Sequence, residues 1–184
     1  MEKFFSKIDS KVIDDLNDQI SNNRVLNWAP DYNNQAGISF DNLSYILDYW
    51  KNQFSWTKEE AKLNKFNQYL LEYDNITTHF LHIKSDQKNS IPLLLIHGWP
   101  GSIFEFNDLI PLLTNPEKDN LKDHQAFDLI IPSLPNVGFS FSPQQKPLDL
   151  TQIAKHFIKL MQTLGYQKYF IQGGDLGSFV ASIM

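Results

Sequence analysis

A carboxylate lies among three glycines near the end of the sequence, in the stretch Gly173-Gly-Asp-Leu-Gly177. The stretch lies between two apolar runs, which is the layout of a nucleophile elbow, where small residues permit a sharp strand-to-helix turn. Asp175 would be ionised near pH 7 and suited to attacking a saturated carbon, forming an ester. The simpler alternative is that Asp175 only caps a helix beginning at Leu176, since short glycine motifs often have no catalytic role.

A second glycine-rich loop favours the catalytic interpretation. The stretch His97-Gly-Trp-Pro-Gly101 follows an apolar run and precedes a helical segment, a position from which a backbone N–H can point toward a developing oxyanion. Its glycines and proline restrict the backbone on both sides. By itself, the loop is explained equally well as an ordinary turn with a packed tryptophan. A third loop, Pro132–Ser140, is rigid enough to border such a site but is weaker support.

Three apolar runs lead into these loops and are the elements that must position them. Strands that are apolar on both faces and alternate with helices predict a mainly parallel sheet covered on both sides. The carboxyl ends of such strands meet at one edge of the sheet, so the three loops are expected to lie together. Gly165 is predicted to close the second helix as a C-cap. The predicted strands are 91–98, 126–135 and 168–174, and the predicted helices are about 102–113 and 150–164.

The first ninety residues have a different character, being rich in Asn, Asp and Lys. Three helices and a β-hairpin are predicted there. Narrow apolar stripes on the helices, with Trp28, Trp50 and Trp56 as anchors, predict that this segment packs on the rest of the chain and does not fold alone. The predicted elements are a helix over 11–22 capped by Ser10, a helix from Asp41 or Asn42, a helix from the capping-box pattern Thr57–Glu60, and hairpin strands 69–73 and 76–83.

Composition and charge limit the possible functions. With 184 residues, 42% hydrophobic and 20% charged, the chain is expected to be globular, and a net charge of −5 without clustered Lys and Arg argues against nucleic acid as a partner. The absence of cysteine excludes thiol catalysis and disulfides and fits the cytoplasm. No leader-like or membrane-spanning run is found, so a soluble protein is expected. Neither a metal nor a cofactor is expected, because no metal-ligand spacing and no phosphate-binding loop is present.

These segments together resemble the epoxide hydrolases of the α/β-hydrolase fold, in the branch that includes the microsomal and juvenile-hormone enzymes and their bacterial relatives. The resemblance covers essentially the whole chain, and haloalkane dehalogenases, which share an aspartate elbow, lack the N-terminal segment. It implies a mainly helical N-terminal wrapping segment, 1–88, before an α/β-hydrolase domain, 89–184, that is incomplete. The segments that carry it are LDYWKNQFSWTKEEAKLNKFNQYLLEYDNITTHFLHIKS, PLLLIHGWPGSIFEFNDLIPLLT, FDLIIPSLPNVGFSFS and LGYQKYFIQGGDLGS.

The resemblance implies a role for each matching residue. Asp175 is the nucleophile that opens a small apolar epoxide, and the backbone N–H groups of Trp99 and Leu176 form the oxyanion hole for ester hydrolysis. Trp99 also lines the pocket. Two features depart from the family pattern: Leu176 stands where tryptophan is usual, and Asn136-Val137 stands where Gly-Tyr is usual. The supporting residues are His97, Gly98, Pro100 in a cis peptide, Gly173 and Gly177.

The other half of a hydrolase site is missing from these residues. In the family, the acid partner, the catalytic histidine and a lid with two tyrosines all follow the nucleophile, and here nine residues follow Asp175. We therefore expect the N-terminal half of an epoxide hydrolase, inactive unless a separate C-terminal half or a homo-oligomer completes it. The alternative is a naturally truncated, non-catalytic binding or assembly module, or a degraded gene product.

None of the five histidines is a convincing substitute for that base. His79 and His82 are three apart on a predicted strand, so their side chains point to opposite faces. His124 and His156 are predicted to be surface residues, and His97 is predicted to brace its loop by hydrogen bonds. We expect no general base for ester hydrolysis in this sequence.

Overall fold

The chain forms two compact units in a computed structural model that describes residues 1–23, 37–116 and 124–184. One unit combines Met1–Phe5 with Phe66–Met184 and contains the β-sheet. The other, Ser6–Lys65, contains three helices within its described residues. This division does not coincide with the boundary predicted after residue 88, because the predicted hairpin is part of the sheet.

Within the described residues, six strands form one sheet: β1 (Glu2–Phe4), β2 (Gln68–Tyr73), β3 (Ile76–Ile83), β4 (Ile91–Ile96), β5 (Phe127–Pro132) and β6 (Phe170–Gly173). Their order across the sheet is β1-β2-β3-β5-β4-β6. β4 pairs parallel with both β5 and β6, which confirms the predicted parallel arrangement. β1, β2 and β3 extend the sheet as antiparallel strands on the β5 side.

The β2–β3 hairpin turns at Asp74-Asn75, as predicted. Both residues have positive φ, 53° and 58°, which two-residue type I′ turns require and which Asp and Asn tolerate better than most residues. Tyr73 and Ile76 pair directly across the turn. The hairpin places β3 beside β5, where Phe80 and Leu81 are fully buried on opposite faces of the sheet.

Helix α5 (Leu150–Thr163) covers one face of this sheet. It begins with a capping box, in which Asp149 accepts the N–H of Gln152 and the Gln152 side chain accepts the N–H of Asp149. It ends before Gly165, whose φ of 87° is the left-handed conformation of a glycine C-cap, as predicted. Burying each large apolar side chain contributes about 1.5–3 kcal/mol. The buried apolar residues of α5 are Ile153, Ala154, Phe157, Leu160 and Met161.

The segment between β4 and β5 differs from the single helix predicted over 102–113. Over residues 102–114, a short 3-10 helix, Ile103–Phe106, is followed by a separate α-helix, α4, Leu109–Thr114. Pro111 explains the break, because proline has no N–H to donate and is tolerated only in the first turn of a helix. A helix that started at residue 102 would carry Pro111 in its interior.

The helical unit contains α1 (Ser10–Ser21), α2 (Phe40–Asn52) and α3 (Trp56–Leu63). The prediction of Ser10 as the first cap is wrong, since Asp9 accepts the N–H of Lys11 at 2.9 Å and caps α1. α2 begins slightly before the predicted start, because the Ser39 hydroxyl accepts the N–H of Asn42 and caps it. Trp28, predicted as an anchor, lies outside the described residues.

The capping box predicted at Thr57–Glu60 does not form, and α3 begins one residue earlier, at Trp56. The Glu60 carboxylate instead accepts a hydrogen bond from Ser6 Oγ at 2.8 Å and one from the N–H of Ile8 at 2.9 Å. These bonds tie the first residues of the helical unit to α3. The Glu60 carboxylate thus makes a tertiary contact in place of the predicted local capping box.

β6 lies at the edge of the described sheet, with β4 as its neighbour. Helix α6 (Leu176–Ile183) follows it directly. Ile171 packs toward the core, whereas Phe170, on the other face of the strand, is 62% exposed. In α6, Phe179 is 61% exposed. The turn between β6 and α6 therefore lies beside an exposed apolar surface and a strand edge.

Candidate active site

The turn between β6 and α6 presents Asp175 at the carboxyl end of the strand. β6 ends at Gly173 and α6 begins at Leu176, so the turn is as short as an elbow requires. Asp175 has φ 48° and ψ −123°, a backbone conformation that is costly for any residue other than glycine and that clusters at functional sites. Its side chain is exposed.

At two of the three glycines around Asp175, the neighbouring backbone leaves no room for a side chain. A Cβ on Gly173 would collide with the carbonyl of Gly177, and a Cβ on Gly177 would collide with the carbonyl of Ile96. A Cβ on Gly174, by contrast, would meet nothing within 4 Å. The start of α6 therefore lies against the end of β4 so closely that only glycine fits.

The loop after β4 and the elbow meet at the Asp175 carboxylate. Asp175 Oδ1 accepts the backbone N–H of Trp99 at 2.9 Å and that of Leu176 at 2.6 Å. At Gly98, a Cβ would lie 2.8 Å from the Cβ of Asp175, closer than side chains approach. The structure thus brings together the three residues to which the resemblance assigns catalytic roles, and both donors bind the same oxygen.

These hydrogen bonds also stabilise the negative charge of Asp175. The Trp99 N–H and then the Leu176 N–H hold the pKa of the Asp175 carboxyl below its ordinary value, and desolvation opposes them. Hydrogen bonds to a carboxylate favour its ionised form, and the positive end of the α6 dipole acts in the same direction. Asp175 is therefore an anion at neutral pH, in the state that a nucleophile requires.

His97 is buried and fixes the loop that carries Trp99. Its Nε2 accepts the N–H of Leu134 at 3.0 Å, so the proton lies on Nδ1, which donates to the Gly98 carbonyl at 2.8 Å. Burial lowers the pKa of His97, against weaker opposing effects of Gly98 and Glu105. His97 is thus a neutral brace for the loop, with both ring nitrogens in use.

A capping box closes the far end of this loop. The N–H of Ser102 donates to Glu105 Oε1 at 3.1 Å, and a Cβ on Gly101 would collide with the same carboxylate. The Trp99–Pro100 peptide is cis, as predicted. The Trp99 side chain is 64% exposed, so it can contact a ligand beside Asp175.

The loop after β5 takes part through Leu134, which sequence reasoning missed. Its N–H reaches His97 across 37 positions of sequence, and a backbone donor carries no residue-type signal. Asn136, which departs from the family pattern, lies in the same loop. Asn136 has φ 63°, a left-handed conformation that glycine adopts freely and that asparagine tolerates. Asn136 is therefore compatible with the conformation of this turn.

His79 and His82 point to opposite faces of β3, as predicted. His79 Nδ1 lies 3.0 Å from Ser133 Oγ, and His82 Nε2 lies 2.9 Å from the Tyr166 hydroxyl. Burial lowers the pKa of His79 to about 4 and also lowers the pKa of His82. Neither histidine has a hydrogen bond to Asp175 in the described part of the chain.

The remaining two histidines differ from each other. His124 is exposed, as predicted. The prediction that His156 is a surface residue is wrong: it is buried, with Nε2 2.7 Å from Thr78 Oγ1, because α5 packs this side against β3. Within residues 1–23, 37–116 and 124–184, no group of three His, Asp or Glu residues could hold a metal ion. In the same residues, no helix is long and apolar enough to span a membrane.

Comparison with known families identifies the class of protein to which this arrangement belongs. Residues 1–106 match the family described as epoxide hydrolase N terminus, and residues 91–184 match the α/β hydrolase fold. The order is the one observed here, with the elbow and the Trp99 loop in the second match. The chain belongs to the epoxide hydrolase family of the α/β-hydrolase fold.

Individual relatives agree with this assignment. Epoxide hydrolase 1 of Sus scrofa is 37% identical over 176 residues, which are 94% of this chain and 39% of that protein. The solved structure of the Aspergillus niger epoxide hydrolase superposes with a TM-score of 0.84 at 32% identity, covering 98% of this chain and 47% of that one. The juvenile hormone epoxide hydrolase of Bombyx mori gives 0.84 and 32%, covering 100% and 43%. The chain thus spans less than half the length of these relatives.

Proposed function

We propose that this chain carries the nucleophile and oxyanion-hole half of an epoxide hydrolase site, whose substrate is a small apolar epoxide. The observation that carries the proposal is the pair of backbone N–H groups, from Trp99 and Leu176, on one oxygen of Asp175. Because both donors bind Oδ1, Oδ2 is the oxygen that attacks. A helix cap alone would explain the bond from Leu176, but not the one from a loop 76 positions away.

In the first step, Oδ2 attacks a ring carbon of the epoxide from the side opposite the ring oxygen. The bond between that carbon and the ring oxygen breaks, an ester forms, and the oxygen leaves as an alkoxide that must take up a proton. The exposed Trp99 indole supplies apolar surface beside Asp175 for the substrate. A positioned acid for the alkoxide is typically worth about 10²–10⁴ in rate.

In the second step, water attacks the ester carbonyl carbon, and the negative charge develops on Oδ1. The Trp99 and Leu176 N–H groups already point at this oxygen, so they stabilise the tetrahedral intermediate without rearrangement. Collapse of the intermediate restores the carboxylate and releases the vicinal diol. A base must remove the proton from the attacking water.

We infer that this base, and the acid of the first step, come from polypeptide other than these 184 residues. The buried histidines His79, His97 and His156 and the half-buried His82 have hydrogen-bond partners away from the Asp175 carboxylate. His124 is exposed in a loop. A continuation of the chain, a separate C-terminal half or a second copy could carry the missing groups. Alone, the chain is expected to form the ester and to stop there.

The experiment supplies a reactive styrene-type epoxide to the purified chain and follows both adduct mass and diol. The expected result is at most one slow addition per chain, located at Asp175 by peptide mapping and absent in Asp175→Asn. Asp149→Asn, which alters another helix-capping carboxylate, is the matched control and should keep the adduct. An adduct elsewhere would overturn the role of Asp175. Repeated turnover by the chain alone would contradict the inference that the base comes from other polypeptide.

A second candidate function is a non-catalytic binding or assembly module. The edge position of β6 and the exposure of Phe170 and Phe179 favour it, because such surfaces are typical of interaction sites. It predicts a folded chain that forms no adduct at Asp175 under the conditions above. The same experiment therefore separates the two functions.

We also propose that the protein works in the cytoplasm. Its sequence contains no cysteine, so its folding gains nothing from an oxidising compartment. In fractionated cells that express the chain with a small tag, the signal is expected in the cytoplasmic fraction. Recovery with the membranes at low and high salt would contradict this location.

A further inference from the structure

His79 occupies a fully buried position in β3, where it is surrounded by specific partners. Its ring packs against Phe4 and Phe139, with centroid distances of 4.9 and 5.0 Å. Its Nδ1 lies 3.0 Å from Ser133 Oγ, and its Nε2 lies 3.0 Å from Gln68 Oε1. Burial lowers its pKa to about 4, so at neutral pH the ring is uncharged, with one nitrogen donating and the other accepting.

The backbone of His79 is joined to the same loop as its side chain. The N–H of Ser133 donates to the His79 carbonyl at 2.8 Å, and the N–H of His79 donates to Ser140 Oγ at 2.9 Å. The Ser140 hydroxyl in turn donates to the Ser133 carbonyl at 2.8 Å. Besides the contact of the ring with Ser133, two backbone hydrogen bonds of His79 thus hold the loop after β5 against β3, and a third bond, from Ser140 to Ser133, closes the loop on itself.

This loop leads directly to the candidate site. Leu134 follows Ser133, and its N–H donates to Nε2 of His97, whose Nδ1 donates to the Gly98 carbonyl. Trp99 comes next, with its N–H on Asp175 Oδ1. Every member of this series has a fixed direction of donation, so displacing Ser133 would displace the donor that orients His97.

We propose that His79 is a positioning residue for the oxyanion hole, because it holds Ser133 in place and thereby, through Leu134 and His97, aims the N–H of Trp99 at Asp175. His79 itself does not touch the reacting atoms. The proposal deepens the proposed function, since it concerns the same site. Its test needs neither substrate nor turnover, and its failure is therefore distinguishable from failure of the epoxide chemistry.

The test uses the full chain and two variants that remove the same hydrogen bond from opposite sides. His79→Phe removes both ring nitrogens, and Ser133→Ala removes only the hydroxyl, which keeps the test open if the first variant does not fold. His79→Asn is the conservative variant, because its side chain places a polar atom near the former Nδ1. His156→Phe is the matched control, since His156 is a buried histidine bonded to Thr78, on the other face of β3.

The measurements are the pKa of Asp175, followed by NMR through the Trp99 and Leu176 amide shifts, and hydrogen exchange of those two amides. In His79→Phe and Ser133→Ala, the Asp175 pKa should rise toward its ordinary value. Exchange of the Trp99 amide should become about tenfold faster, the factor that the loss of one hydrogen bond gives. The Leu176 amide, which belongs to the elbow, should change little.

His79→Asn should restore most of the original values, and His156→Phe should leave the Asp175 pKa and the Trp99 amide unchanged even where it lowers stability. An unchanged Asp175 pKa in a folded His79→Phe or Ser133→Ala would overturn the proposal. An equal change in His156→Phe would overturn it as well, because the effect would then be general loss of stability.

Discussion

The backbone conformation of Asp175 and the lowered pKa of its carboxyl come from different parts of the chain. The left-handed φ of 48° comes from the short turn between β6 and α6, and the lowered pKa comes first from the Trp99 N–H in a separate loop. The two properties can therefore be separated by mutation. A residue of the same shape without charge should keep the turn and lose the carboxylate that is proposed to be the nucleophile.

This separation predicts different outcomes for Asp175→Asn and Asp175→Ala. An asparagine keeps a carbonyl oxygen for both N–H donors and tolerates positive φ, so its unfolding midpoint should stay close to that of the original chain. An alanine loses the cap of α6 and keeps the backbone strain, and its midpoint should fall by about 2–4 °C. Thermal unfolding followed by circular dichroism is the measurement. Equal midpoints for the two variants would contradict the role of the N–H pair in holding the turn.

At the scale of elements, the contact between α6 and β4 sets the geometry of the site. α6 begins at a distance from β4 that only glycine permits, and the backbone donors of the elbow and of the Trp99 loop consequently reach one oxygen. Because the contact is so close, adding one methyl group at Gly173 or Gly177 should disturb it, whereas adding one at Gly174 should not.

We predict that Gly177→Ala destabilises the chain and that Gly174→Ala does not. The new Cβ at position 177 would collide with the Ile96 carbonyl, whereas that at 174 would meet nothing within 4 Å. Overpacking costs about 1–3 kcal/mol, and a glycine replaced without strain gains about 0.4–1 kcal/mol. Urea unfolding of both variants is the measurement. A loss of stability in Gly174→Ala as large as that in Gly177→Ala would contradict the spatial argument.

The buried face of β3 predicts a loss of stability in mild acid. His79 has a folded pKa of about 4, below its ordinary value of 6.5, so the unfolded chain binds a proton that the folded chain does not. Stability is full above pH 6.5 and is lost as the pH falls toward 4. For His79 alone the loss between pH 7 and pH 5 is about 2 kcal/mol.

Urea unfolding at pH 7 and pH 5 measures this loss of stability. His79→Asn should remove the part of the pH dependence that comes from His79, because asparagine does not titrate. Burial lowers the pKa of His82, His97 and His156 in the same direction, so part of the dependence should remain in the variant. An identical pH dependence in His79→Asn and the original chain would exclude His79 as a source.

The parts of this structure that sequence predicts are those fixed by neighbouring residues. The elbow around Asp175, the hairpin at Asp74-Asn75 and the three parallel strands depend on glycine spacing, turn chemistry and continuous apolar runs. The burial of His156 and the link from His79 to His97 depend on pairing between distant strands, and a histidine looks the same in sequence whether it is buried or exposed. The Glu60 carboxylate shows the same limit, since a tertiary contact replaces its local cap.

At the scale of the whole molecule, the boundary between the two units runs through the N-terminal ninety residues. β1, β2 and β3 belong to the sheet, and residues 6–65 form the helical unit between β1 and β2. A cut in the sequence near residue 88 therefore passes through the sheet unit and does not separate the two units. The position of this boundary predicts how a fragment of the first 88 residues should behave.

We predict that a fragment of residues 1–88 does not unfold cooperatively. In the whole chain, Phe80 and Leu81 are fully buried and lie opposite Pro132 and Ile131 of β5. The fragment lacks β5, so these residues and one edge of β3 would be exposed to water. Urea unfolding followed by tryptophan fluorescence is the measurement, with the full chain as control. A single steep transition in the fragment would show that this segment folds independently.

We also predict that the purified chain self-associates through the surface at β6 and α6. Phe170 is 62% exposed on a strand at the edge of the described sheet, and such edges pair with other chains unless a charge blocks them. Phe170→Lys should reduce the associated fraction in sedimentation velocity runs at several concentrations. Tyr45→Lys, at a residue of α2 that is 71% exposed, is the control and should have little effect. A monomeric original chain would contradict the prediction.

Two N–H groups on Oδ1 make the two oxygens of the Asp175 carboxylate chemically unequal. Electron density drawn toward Oδ1 is withdrawn from Oδ2, so the resting carboxylate is a weaker attacker than a carboxylate in water. In the proposed reaction, once Oδ2 has become an ester oxygen, the same polarisation would make the carbonyl carbon more electrophilic. For the proposed reaction, the arrangement would thus favour breakdown of the intermediate over its formation, and the first step would gain its rate from the closeness of the epoxide and from an acid at the ring oxygen.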